Sequence, residues 1–319
     1  MTVFITGAAG FLGSNLTDRL LALGHTVVGF DNFSTGRTEF VARALENPRF
    51  HLYRGDILDL EVLSAAMAGA DFVYHLASNA DVRFGIHHPR KDLEQNTIGT
   101  WSVLEAMRTN NVRRIAFSST GSVYGEPEVF PTPEECPFPV QTSLYGASKL
   151  AAEGLIEAYS QGFDMQAWIF RCVSLLGPRY SHGHIIDFYR QLREHPDVLN
   201  VLGDGHQRKS YLYVGDCIEA ILTATRQASA EVNIFNVGTD QACQVKDSIG
   251  WICEHLGASP RLVYSGGKRG WVGDSPLILL DCNRIRSLGW RPTVSIQQAV
   301  VRTLEFLEDS PWLVNPESC

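Results

Sequence analysis

Through the first half of the chain, short runs of apolar, mostly β-branched residues alternate with longer stretches whose apolar positions recur every three or four residues. The short runs predict strands over 3–6, 26–30, 50–53, 72–75, 114–118 and 166–171. The longer stretches predict helices near 11–23, 59–68, 92–109 and 146–161. Strands that regularly give way to amphipathic crossovers are the pattern of an α/β domain, a Rossmann-type doubly wound sheet of six parallel strands. After Arg171 the alternation loosens into Gly- and Pro-bearing segments at 176–184 and 201–207, followed by helical periodicity near 214–227, 245–256 and 295–308. The expected division is a dinucleotide-binding domain over 1–172, with returning elements from about 206–238, and a smaller C-terminal substrate-binding lobe over 173–319. No repeat or Gly/Ser linker separates the two, so the working site is expected in the cleft between them; the tail over 315–319 reads as frayed.

Composition narrows the class. A 319-residue chain that is 45% hydrophobic can fill a core without disulfide staples. Its formal charge of −8, with no run of Lys and Arg, argues against nucleic acid as a partner. Seven scattered cysteines, without a C-x-x-C pair or metal-ligand spacing, point to reduced thiols, no metal and a cytoplasmic setting. The first strand is expected to start at Thr2, leaving no room for a signal peptide, and no apolar run approaches the ~20 residues that cross a bilayer.

Chemistry enters directly after the first strand, at Gly7-Ala8-Ala9-Gly10-Phe11-Leu12-Gly13. Glycines there let the backbone turn tightly and approach a pyrophosphate at a helix N-terminus, where free N–H groups and the helix dipole favour an anion. A Gly-rich turn can also merely close a strand onto a helix; the second signal is Asp31, at the end of the second strand. A carboxylate there can accept the ribose hydroxyls and repel a 2′-phosphate, which favours NAD over NADP. As a residue type Asp31 can equally cap a helix, and Arg37 nearby leaves a phosphate open. Asp56, after the third strand, is placed either to start a helix or to touch the adenine amino group.

Tyr145 and Lys149 stand four residues apart, on one face of the helix that begins there. A free phenol, with a pKa of about 10, is a poor base at neutral pH, but a neighbouring ammonium and a nicotinamide cation both favour the phenolate. Tyr145 can then take a hydroxyl proton while hydride leaves the same carbon. Thr120 brings a hydroxyl to the carboxyl end of the fifth strand, where it can share that proton; Ser118 and Ser119 offer the same group, and Thr120 can also simply begin a turn.

These residues, in this order, resemble the extended short-chain dehydrogenase/reductase family, the group that modifies nucleotide-linked sugars. The elements are Gly7-x-x-Gly10-x-x-Gly13, Asp31-Asn32-Phe33-Ser34-Thr35-Gly36, Asp56-Ile57, Tyr74-His75-Leu76-Ala77, Asn96-Thr97-Ile98-Gly99-Thr100, Ser118-Ser119-Thr120-Gly121-Ser122-Val123-Tyr124-Gly125 and Tyr145-x-x-x-Lys149. The resemblance implies Thr120, Tyr145 and Lys149 as the catalytic trio. It implies NAD contacts from the glycine turn with Phe11 and Leu12, from Asp31, Asn32, Ser34, Thr35 and Gly36, and from Asp56 and Ile57. Further NAD contacts are implied at Leu76, Ala77, Ser78, Asn96, Ser118, Tyr145, Lys149 and Val173. For the nucleotide sugar it implies Arg83, Thr120, Tyr145, Ser174, Arg179, Tyr211 and the segments holding Arg208-Lys209 and Arg269 to Asp274. Many members carry Asn in place of Ser174 and a single Arg in place of Arg208-Lys209, so which of the two cations holds the pyrophosphate stays open.

The family shares oxidation at the sugar C4, and the outcome beyond that step depends on further acids and bases. Members that remove water place Asp-Glu directly after the catalytic Thr, and those that remove carbon dioxide keep Glu in place of Ser122; this chain has Gly121-Ser122. Epimerisation, needing neither, is the expected reaction, closest in pattern to the UDP-sugar 4-epimerases, with a UDP-hexose, UDP-N-acetylhexosamine or UDP-uronate as substrate. Arg83, Arg179, His182 or His184 can face a uronate carboxylate, although the two histidines read more simply as a polar loop, and Ile278 stands at a pocket-sizing position. A dinucleotide sensor without turnover is the alternative of another class. The resemblance also implies a homodimer through the helices near 92–109 and 146–161.

Overall fold

The computed structural model describes residues 1–79, 84–138, 140–270, 275 and 277–314. In chain order the first half comprises β1 (Thr2–Thr6), α1 (Phe11–Ala22), β2 (Thr26–Asp31), α2 (Thr38–Leu45), β3 (Phe50–Arg54), α3 (Leu60–Met67) and β4 (Phe72–His75). There follow α4 (Phe84–His87), α5 (Pro89–Asp92), a π-helical turn (Leu93–Ile98), α6 (Gly99–Thr109), β5 (Arg114–Thr120), a 3₁₀ turn (Gly121–Tyr124), α7 (Leu144–Phe163) and β6 (Gln166–Cys172). The remainder holds β7 (Ser174–Leu176), α8 (His184–Glu194), β8 (Val198–Val201), β9 (Arg208–Lys209), β10 (Tyr211–Tyr213), α9 (Val214–Gln227) and β11 (Val232–Val237). The chain closes with β12 (Cys243–Gln244), α10 (Val245–Leu256), β13 (Arg261–Tyr264), α11 (Asn283–Ser287), α12 (Ile296–Glu308) and α13 (Pro311–Val314).

The main sheet is parallel throughout and runs β11-β6-β5-β4-β1-β2-β3. Strand order reverses between β1 and β4, so their carboxyl ends open a crevice at that switch point. Both faces of the sheet are covered, which is why its strands read as continuous apolar runs. In β1, Val3 and Ile5 pack into one layer with Leu16, Leu20 and Ile221, while Phe4 packs into the other with Leu63, Val103 and Ile156. β6 divides the same way, Trp168 and Phe170 to the first layer and Ile169 to the second. A third apolar cluster belongs to the second half of the chain, where Ile185, Tyr189 and Leu192 of α8 meet Ile249, Ile252, Val300 and Leu304.

The sheet has seven strands, not the expected six, because β11 returns to its edge beside β6. Its sequence, Val-Asn-Ile-Phe-Asn-Val, hides the strand by putting amides among apolar residues. The fold satisfies both: Asn233 Nδ2 donates to the Ala167 and Ala230 carbonyls, and Asn236 Nδ2 to those of Thr132 and Asp281. The helix expected over 92–109 is interrupted by the π turn, and α2 and α8 are additional. In α8 the spacing of Ile185, Phe188, Tyr189 and Leu192 is an amphipathic signal that the preceding glycine-rich loop masked. The tail over 315–319 lies outside the described residues. No described helix is long and apolar enough to cross a membrane.

Candidate active site

A cleft of about 1000 Å³ opens at the carboxyl ends of β1 and β4 and extends to α8 and β10. Gly7, Gly10, Phe11, Leu12 and Gly13 form its floor. Gly10 caps α1 in an extended conformation with no side-chain cap, and the first turn holds no acid, so the first N–H groups of the helix are left without a side-chain partner. Gly7 adopts φ +70°, and a Cβ on Gly13 would come within 2.0 Å of the Gly7 carbonyl oxygen. Only glycine permits that approach, and a pyrophosphate fits the resulting cradle. Beneath it, buried His75 bridges Thr6 (2.7 Å) and Thr100 (3.0 Å), and its imidazole is driven down to about pKa 3 by burial and by Lys149.

At the end of β2, Asp31 Oδ2 accepts from the Ala9 N–H at 2.9 Å and Oδ1 from the Phe33 N–H at 2.8 Å. Burial pushes this carboxyl up and the two backbone donors pull it back. A carboxylate held in this way on the cleft wall suits ribose hydroxyls. Asn32, Ser34, Thr35, Ile57, Leu76, Ala77, Ser78, Ser118 and Val173 also reach the cleft. Gly36 supports Asp31 from behind, since a Cβ there would sit 2.8 Å from Oδ1. Three expected cofactor ligands, Gly36, Asp56 and Asn96, are not on the cleft wall. Asp56 is engaged by Asn32 Nδ2 (2.9 Å) and the Leu58 N–H (3.0 Å). Asn96 is buried, accepting from the Asn79 N–H at 2.8 Å and donating to Ser148 Oγ at 2.9 Å, so that it ties the loop after β4 to α7.

Thr120, Tyr145 and Lys149 converge on the cleft midway along it. Thr120 caps the 3₁₀ turn: its Oγ1 accepts from the Ser122 N–H at 3.1 Å and donates to Ser122 Oγ at 3.3 Å. Ser143 caps α7 by accepting from the Gly146 N–H, which sets Tyr145 and Lys149 on the first turns. Lys149 is 1% exposed, with its ammonium 4.2 Å from the centre of the Phe117 ring. Burial pulls its pKa down to about 7, against the opposing pull of Glu153 and then Cys172. From spacing alone the lysine is expected to lower the tyrosine; in the protein without cofactor, Tyr145 is instead raised to about 12. Burial dominates, and the hydrogen bond to Thr120 offsets only part of it. Ser119 donates a short hydrogen bond to Glu153, whose other oxygen pairs with Arg171 at 2.7 Å.

The expected phosphate-binding cations are mostly elsewhere. Arg179, at φ +71°, pairs with Asp18 at 2.6 Å, Arg269 pairs with Glu126 at 2.5 Å, and Arg208 is exposed beside β12; none reaches the cleft wall. Lys209 does, and donates to the Ser275 carbonyl at 2.6 Å. Ser174 and Tyr211 reach it as expected, while Arg83 and Asp274 lie outside the described residues. Sequence reasoning missed Arg190 of α8: it lines the cleft, donates to the Leu313 carbonyl, and keeps a buried Nε with no hydrogen-bond partner among the described residues. Both His182, in the loop before α8, and His184, the first residue of α8, line the cleft. His184 stands 3.2 Å from both Tyr211 Oη and Ser248 Oγ, and burial, then Lys209, holds it neutral at a pKa of about 3. The amphipathic pattern of α8 was the signal that would have placed Arg190 on a helix beside the cleft.

Residues 3–238 match the profile of the NAD dependent epimerase/dehydratase family. The UDP-glucose 4-epimerase of Mycolicibacterium smegmatis is 32% identical over 315 residues, covering 97% of this chain and 99% of that protein. A crystal structure of a UDP-galactose 4-epimerase is 39% identical with a TM-score of 0.87, covering 98% of this chain and 100% of the other. The UDP-glucuronic acid 4-epimerase of Bacillus cereus, solved in complex with UDP-glucuronic acid and NAD, is 28% identical with a TM-score of 0.88, over 97% and 99% of the two chains. Sugars differ among these relatives while the fold is shared, and this chain is an NAD-dependent enzyme of the epimerase/dehydratase family.

Proposed function

We propose that the enzyme is a nucleotide-sugar 4-epimerase acting on a UDP-hexose, UDP-N-acetylhexosamine or UDP-uronate through a 4-keto sugar. The observation that carries this reading is the poverty of acids and bases around Tyr145. Among the described cleft residues the only carboxylates are Asp31, under the phosphate loop, and Asp187, on α8. Eliminating water or carbon dioxide calls for a further acid or base beside the reacting carbons, and Gly121-Ser122 supplies none.

Bound NAD supplies the hydride acceptor and, as a cation, favours a phenolate nearby. Gly7 to Gly13 would hold its pyrophosphate and Asp31 its adenosine ribose. Tyr145 takes the C4 hydroxyl proton, which Thr120 orients by a shared hydrogen bond. Lys149, close to its own neutralisation point, stabilises the phenolate when charged. Lys209 and Arg190 supply the positive charge that a nucleotide diphosphate needs. After the keto sugar turns its other face, Tyr145 returns the proton.

In this reading residues 1–172 and the returning 206–238 segment hold the dinucleotide, and the rest of 173–319 holds the nucleotide sugar. The six described cysteines are free thiols, which supports a cytoplasmic setting. Leu93, Ile98 and Trp101 along the π turn and α6, with Leu144 at the start of α7, are 41–52% exposed and support a homodimer through these helices. Trp101→Glu is expected to weaken such a dimer by about 30-fold or more, as for loss of an aromatic anchor, in sedimentation across a concentration series. A wild-type chain sedimenting as a monomer at every concentration removes this part of the proposal.

The deciding experiment incubates the protein separately with UDP-glucose, UDP-N-acetylglucosamine and UDP-glucuronate, without added cofactor, and follows each by proton NMR. Conversion of one to its C4 epimer, to the same ratio from either side, is expected. A 4-keto-6-deoxy sugar or a pentose product would reassign the enzyme as a dehydratase or decarboxylase, and NAD binding without turnover on any of them would favour a sensor.

A further inference from the structure

Cys172 and Cys217 meet at the wall of the catalytic cleft, with their sulfurs 3.8 Å apart. Cys172 is the last residue of β6, lines the cleft and is 8% exposed; Cys217 lies behind it on α9 and is fully buried. Among the described residues no other two thiols stand within hydrogen-bonding reach of each other. The contact is therefore local to the site, since Cys172 lines the same cleft as Tyr145 and Lys149.

We propose that Cys172 and Cys217 form an oxidisable dithiol whose disulfide switches the enzyme off, a modification site independent of which sugar it accepts. The oxidant is a peroxide entering by the cleft. The Cys172 sulfur attacks one peroxide oxygen, breaks the O–O bond and becomes a sulfenic acid, the thiol proton and the departing hydroxide leaving as water. Cys217 then attacks the sulfenic sulfur, its thiol proton and the departing hydroxide form a second water, and the S–S bond closes. Two thiols are oxidised by two electrons and one hydrogen peroxide is reduced to two waters. The order follows from burial: Cys217 has no path to the oxidant, and its thiol is held in the protonated form by its contact with Cys172 and by burial.

Closing the sulfurs from 3.8 Å to the ~2.05 Å of a disulfide draws the end of β6 toward α9. Val173 and Ser174, which line the cleft immediately afterwards, move with it. A misplacement of about 1 Å in such a site costs about 100-fold in rate.

The test treats the full chain with hydrogen peroxide, quenches, and reads intact mass, a tryptic map and activity before and after dithiothreitol. Expected are loss of two hydrogens, a Cys172–Cys217 cross-linked peptide, and a fall in turnover of about 100-fold that the reductant reverses. Cys217→Ala should keep basal turnover, form no cross-link and accumulate oxygen on Cys172; in Cys172→Ala, Cys217 should stay reduced. The proposal is overturned by absence of the cross-link when the half-buried Cys136 is already oxidised, by a cross-link between other cysteines, or by full activity of the cross-linked enzyme. Mass and map need no sugar substrate, so failure of the epimerase assay leaves them decisive.

Discussion

Under the proposed mechanism Tyr145→Phe is expected to lower turnover by about 10³-fold or more, because it removes the cleft hydroxyl that would take and return the C4 hydroxyl proton. The stability cost is small. The lost hydroxyl is bonded to Thr120, whose own oxygen still accepts from the Ser122 N–H, so a change of about 1 kcal/mol is expected. Turnover measured on the accepted nucleotide sugar, beside a urea unfolding curve, separates chemistry from folding. Activity within tenfold of wild type would exclude Tyr145 as the base. The raised tyrosine and lowered lysine add a detail: in the protein alone the proton rests on the phenol, while Lys149 is poised near neutrality.

Glu153→Gln has the largest expected effect on stability. Its carboxylate and the Arg171 guanidinium are 1% and 3% exposed, paired at 2.7 Å, and Arg171 Nη1 continues the network to Tyr124 Oη and the Glu134 carbonyl. Removing one partner strands the other charge out of water, at a cost of about 3–5 kcal/mol. Urea unfolding of the single variant should show that loss, and Glu153→Gln/Arg171→Met, which replaces both charges, should recover much of it. A single variant within about 1 kcal/mol of wild type would show that Arg171 finds adequate partners without Glu153. The double variant also reports on catalysis. Glu153 lies one turn beyond Lys149 and helps keep it charged against burial, so without that carboxylate the lysine loses its proton at lower pH and the alkaline limb of turnover moves down.

Sequence spacing placed residues at the cleft wherever the requirement is local. Gly7, Gly10 and Gly13 are required by one turn, Asp31 by the end of one strand, and Tyr145 with Lys149 by one helical face; each stands at the cleft as its spacing implied. Positions whose partners come from distant segments read poorly. Arg179 and Arg269 were expected at the nucleotide sugar and instead pair with Asp18 and Glu126, because a long cationic side chain turns to whichever carboxylate the fold brings near. Asn96 was expected at the cofactor and instead joins two elements 52 residues apart. Arg190 was not expected at the cleft and His184 read more simply as part of a polar loop, yet the packing of α8 against the third core put both there.

Periodicity and short-range spacing were enough to specify the doubly wound sheet, the glycine turn after β1 and the shared helical face of Tyr145 and Lys149, since both act directly on backbone geometry. The seventh strand, the direction of the tyrosine's shift, the choice of cations that face the cleft, and the contact between Cys172 and Cys217 emerged only with the folded chain. Those outcomes depend on burial and on which remote groups meet, and burial and meeting are properties of the packed chain rather than of any window along it.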